Sequence, residues 1–128
     1  MKITDKIEIT QEDNMALMAR YPDNYFDLAI VDPPYGIGIS KNPVRQSHKK
    51  KKWDNEIPSK SYFDELKRVS KNQIIWGGNY FIDYLNNSQG FIVWDKKQPE
   101  NFSLAMCEFA YSSIQSPAKI FRYSILSE

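Results

Sequence analysis

The chain has one cysteine, one histidine, five glycines and no long apolar run, and each scarcity excludes something. The single thiol, Cys107, cannot close an internal disulfide and reads as inert packing. The single histidine, His48, has no cysteine or acidic cluster at metal-ligand spacing around it, so no metal site is expected. No apolar segment approaches the roughly 18 residues that a membrane span needs. Met1-Lys2-Ile3-Thr4-Asp5-Lys6 leads into nothing that resembles a secretion signal. A cytoplasmic chain is therefore expected. Net charge is nearly absent as well: 17 basic residues against 16 acidic leave +1, a balance that by itself points to no partner.

What is present is a globular composition, 41% hydrophobic and 14% aromatic, over 128 residues that suit a single domain spanning 1–128. The near-neutral total conceals one concentration of charge, His48-Lys49-Lys50-Lys51-Lys52.

Residues 7–10 alternate like a short strand, and residues 11–20 place Met15, Ala16, Met18 and Ala19 on an amphipathic helix that Tyr21-Pro22-Asp23-Asn24 stops. Phe26-Asp27-Leu28-Ala29-Ile30-Val31 is a nearly continuous apolar run, which predicts a strand buried on both faces of a parallel sheet. It breaks off at Asp32-Pro33-Pro34-Tyr35-Gly36, where two prolines cannot continue a ladder. Residues 36–57 are polar, lysine-rich and aperiodic, and predict a mobile surface loop. Pro58 and Ser61 then mark a helix start, with Asp64 placed to complete a capping box. Tyr62, Phe63, Leu66 and Val69 share its apolar face. Residues 73–76 predict a second buried strand, residues 79–85 a short helix, and residues 91–94 a third strand closed by Asp95. Trp76 and Trp94 are expected in the core. Residues 106–111 and 119–123 both read as strands and fit an antiparallel pair. The pattern predicts an α/β domain, partial Rossmann-like, with a mostly parallel sheet and an antiparallel C-terminal strand pair.

The chemistry concentrates at Asp32. In open α/β sheets, ligands sit outside the carboxyl ends of the strands, and Asp32 follows the most apolar strand directly. Methylation of an exocyclic amine needs a nitrogen lone pair that the ring delocalises. A carboxylate and a carbonyl that accept both N–H bonds draw that nitrogen toward tetrahedral geometry and offset its growing positive charge. Asp32 can supply the carboxylate and Pro33 the carbonyl, while Pro33 and Pro34 fix its direction with little entropy left to lose. Tyr35 offers a flat face for a base turned out of the duplex.

This tetrapeptide and its flanks resemble the adenine-specific DNA methyltransferases whose catalytic motif precedes their cofactor motif. Phe26 to Gly38 matches that family's strand and catalytic loop. Lys52-Trp53-Asp54, Arg68-Val69-Ser70-Lys71-Asn72, Ile75-Trp76-Gly77-Gly78-Asn79-Tyr80-Phe81 and Val93-Trp94-Asp95-Lys96 resemble the segments that follow. The resemblance implies methyl transfer from S-adenosylmethionine to a base amine of double-stranded DNA, adenine before cytosine, as in restriction–modification systems. It assigns Asp32, Pro33, Pro34 and Tyr35 as the catalytic residues. Lys49, Lys50, Lys51 and Lys52, just after them, are expected to contact DNA phosphates, with Trp53 lining the base pocket.

The family continues into a glycine-rich turn and an acid-terminated strand that hold the cofactor, and this sequence reaches Ser127-Glu128 without them. Gly77-Gly78 matches a different family block and is not read as the cofactor loop. The strand that carries Asp32 would also lose its central neighbours. The expectation is that a second chain or another copy completes the sheet, or that the sheet rearranges, or that the chain is a truncated, inactive remnant or assembly half.

Overall fold

The computed structural model describes residues 1–36 and 56–125. Most of the expected loop, with Lys49, Lys50, Lys51, Lys52 and Trp53, lies outside the described residues. A small antiparallel hairpin, β1 (Lys2–Thr4) and β2 (Ile7–Glu8), stands where one strand was expected over residues 7–10. Helix α1 (Asn14–Ala19) is shorter than its apolar pattern, because Asp13 caps it late by accepting the Ala16 amide at 3.0 Å.

The unit that positions the site is β3 (Phe26–Val31), α2 (Lys60–Val69) and β4 (Ser70–Trp76), with the two strands parallel and Val31 in register with Ile75. Tyr62, Phe63, Leu66 and Val69 of α2 are buried, as their spacing predicts. The expected capping box does not form: Ser59 is the cap residue, and Asp64 pairs with Lys60 at 2.8 Å instead. Arg68 ties α2 to the earlier chain, donating to the Met18 and Tyr21 carbonyls at 3.0 and 2.9 Å. After β4, two 3-10 turns (Gly78–Tyr80 and Ile82–Tyr84) replace the short helix expected over 79–85. Strands β5 (Ile92–Asp95), β6 (Cys107–Ser112) and β7 (Lys119–Arg122) follow.

The sheet order is β3-β4-β6-β5-β7, and two expectations about it are corrected. The sheet is mixed, with β3–β4 and β5–β7 parallel but β4–β6 and β6–β5 antiparallel. The C-terminal strands do not pair with each other. β6 enters between β4 and β5, and β7 runs along the outer side of β5. Ala110 accounts for part of this choice: it is fully buried in β6, opposite Trp76 on one side and Ile92 on the other, where a small side chain lets both neighbours close in. The exposed β7 is left at the edge.

β3 is likewise an edge strand, not the doubly buried one predicted. Leu28 is 42% and Ile30 62% exposed, whereas Ala29 and Val31 pack toward the core of Phe63, Leu66, Ile75, Phe81 and Tyr111. The two-residue alternation of a strand sends these pairs to opposite faces, and among the described residues only one face carries the long helix α2. Trp76 and Trp94 are partly buried, not core, and meet edge to face at 6.4 Å. Among the described residues no helix is long and apolar enough to cross a membrane.

Candidate active site

Parallel pairing brings the carboxyl ends of β3 and β4 side by side, so Asp32-Pro33-Pro34-Tyr35 leaves the sheet next to Gly77-Gly78. Asp32 is exposed, Pro33 is buried, and Pro34 and Tyr35 are half-buried. The proline pair thus anchors the turn while the carboxylate faces outward. The Tyr35 hydroxyl donates to Asp32 Oδ1 at 2.5 Å, closing the four residues on themselves. Burial first, and this hydrogen bond second, raise the Tyr35 phenol well above its ordinary ionisation range, so it stays a donor.

Gly77 makes room for that ring. It holds φ +73°, and a Cβ there would sit 2.2 Å from Tyr35 Cε1, so only glycine fits both the backbone and the contact. A Cβ on Gly78 would lie 2.6 Å from Tyr111 Cβ, so the second glycine lets the 3-10 turn close onto β6. Both spaces are filled by the chain's own aromatic residues. They therefore do not fit a cradle for S-adenosylmethionine.

Two features were not legible beforehand. Tyr35 is not an open platform: Tyr80 lies on it nearly parallel, with ring centroids 5.0 Å apart and 16° between planes, and Phe81 stands at 6.2 Å. A cavity of about 330 Å³ opens beside these rings, lined by Tyr35, Asn79, Tyr80, Lys96, Glu108 and Phe109 among others. Lys96 and Glu108 face each other loosely at 3.7 Å, and the Lys96 ammonium also sits 5.7 Å from the Trp94 ring centre. Lys96 follows a strand end, a position that could have singled it out. Glu108 and Phe109 reach the site only because β6 enters the sheet there.

Of the four motif residues, Tyr35 meets Tyr80 and lines the cavity, and its hydroxyl ties Asp32 to it; the lysines and Trp53 lie outside the described residues. No family model and no curated protein matches the chain.

Proposed function

We propose that this chain binds the exocyclic amine of a DNA base, adenine by resemblance, as the amine-binding half of an amino-directed DNA methyltransferase. The observation that carries the reading is Asp32: an exposed carboxylate at the carboxyl end of a parallel strand, held by a buried proline, with the Tyr35 hydroxyl on one of its two oxygens. The cavity beside Tyr35 has the aromatic walls and the few polar groups typical of a small-ligand site.

In this reading Asp32 and the Pro33 carbonyl accept the two amine N–H bonds. They orient the lone pair outward and stabilise positive charge on the nitrogen. Lys49, Lys50, Lys51 and Lys52 neutralise neighbouring phosphates, and Trp53 borders the base. S-adenosylmethionine supplies an electrophilic methyl group in enzymes of this kind; the Gly77-Gly78 turn does not fit it, and in this reading a second chain or another copy would supply the groups that hold it. Among the described residues β3 stands at the sheet edge, with Leu28 and Ile30 exposed next to Asp32, and this is where a second chain or another copy would complete the sheet.

A second reading is favoured by the Tyr35–Asp32 hydrogen bond: a self-satisfied structural turn in a half that only assembles or binds DNA. One experiment separates the two. The chain is titrated with oligothymidylate carrying one central deoxyadenosine, and with the same strand carrying deoxynebularine, a purine without the amine. Amine binding predicts a preference for adenine of about tenfold, the worth of hydrogen bonds to a charged group. Asp32→Ala should abolish it. Equal affinity for both strands leaves only the structural turn.

A further inference from the structure

A base held by Asp32 needs an aromatic face to lie on and a carboxylate oxygen to receive its amine. Side chains of the chain itself take both places. Tyr80 covers Tyr35 with the near-parallel geometry of a stacked ring, and the Tyr35 hydroxyl occupies Asp32 Oδ1 as an amine N–H would. The two tyrosines differ in how firmly they are held. Tyr35 is wedged against the Gly77 backbone and bonded to Asp32. Tyr80 is 41% exposed. It ends a three-residue 3-10 turn that begins just after the left-handed Gly77. The cavity of about 330 Å³ borders Tyr80 directly and gives its ring somewhere to go.

We propose that Tyr80 is a stand-in for the target base: it occupies the stacking place on Tyr35, and a base enters by displacing it. This rests on the proposed function and adds a selection step to it. A base gains the site only if its stacking and its amine contact with Asp32 together exceed what Tyr80 already supplies. Apparent affinity is then lowered by the fraction of molecules in which Tyr80 is in place.

The direction of the Tyr80 effect decides the matter. A ring that serves as a platform weakens binding when removed, whereas a stand-in strengthens it. In the titration with the deoxyadenosine strand, Tyr80→Ala should bind roughly threefold to tenfold tighter than the parent, the worth of one aromatic pair. It should keep the preference over deoxynebularine, because Asp32 is untouched. Tyr80→Phe, which retains the ring, should match the parent, and Tyr80→Leu, which keeps apolar bulk without a π face, should follow Tyr80→Ala. Thermal melts of each variant confirm that the folded chain is being compared. Weaker or unchanged binding by Tyr80→Ala, with the adenine preference intact, overturns the stand-in and leaves amine binding standing. Loss of any adenine preference in the parent and in Tyr80→Ala alike overturns both.

Discussion

Strands β3 and β5 run in the same direction, and each delivers an aspartate at its carboxyl end, Asp32 and Asp95. As sequence the two ends look alike: Ala29-Ile30-Val31-Asp32 and Ile92-Val93-Trp94-Asp95 are apolar runs closed by an acid. Their neighbours differ. Asp95 accepts the Lys97 amide at 2.9 Å and faces Arg122 Nε at 3.9 Å, and Lys97 takes a positive φ to complete that turn. The carboxylate is spent on holding its own loop. Asp32 is followed by two prolines, which offer no amide to accept, so its Oδ1 meets a tyrosine hydroxyl and not an amide of its own loop. An acid at a strand end becomes available for a ligand when the residues after it cannot satisfy it.

The largest expected effect breaks the packing that only the Asp32 end has. Gly77→Ala puts a methyl into the Tyr35 ring on a left-handed backbone, and should cost about 2–4 kcal/mol in urea unfolding. With Tyr35→Ala as the background, the overlap vanishes and the cost of Gly77→Ala should fall to about 1–2 kcal/mol. An undiminished cost in that background means that the backbone, not the tyrosine, demands the glycine.

Next comes the binding contrast between the two acids. Asp32→Ala should remove the roughly tenfold preference for adenine over the amine-free purine, while Asp95→Ala should leave it within about twofold, as expected of an independent site. Equal losses from both would erase the distinction between a ligand-binding and a turn-forming aspartate. Stability should show the reverse order for Asp95. Its replacement by alanine should lower the unfolding free energy by roughly 0.5–1.5 kcal/mol through the orphaned Lys97 amide, readable as a lower urea midpoint.

The smallest effect is alkaline. Burial raises Tyr62 to about 12, and burial with the Asp32 hydrogen bond raises Tyr35 further in the same direction. The folded chain therefore keeps these protons to higher pH than the unfolded chain does. Their contribution to stability is complete below the ordinary tyrosine value of about 10 and is lost as pH rises from there through the folded values. Tyr35→Phe should make the urea midpoint less sensitive to pH above about 10 and remove one late step from the phenolate absorbance titration.

Much of the site's local frame was legible in the residues. Periodicity placed Tyr62, Phe63, Leu66 and Val69 on the buried face of α2, and proline chemistry ended β3 at Asp32. Capping was less legible, because Ser59 and Ser61 both suit a helix start and the choice depends on the path of the chain into it. Gly77 was visible as a break but not as the seat of Tyr35, since a contact between positions 35 and 77 leaves no mark in either segment.

The sequence by itself determined which segments form the five strands of the main sheet, where the acid and prolines fall, and which helix face is apolar, because these depend on spacing and backbone chemistry within a few residues. Only the tertiary structure decided that β6 separates β4 from β5, that β3 is an edge with Leu28 and Ile30 in view, and that Tyr80 covers Tyr35. Five short strands offer few local marks of who pairs with whom, so their order is set by competition among distant pairings, by which face α2 covers, and by which side chains then meet at the strand ends.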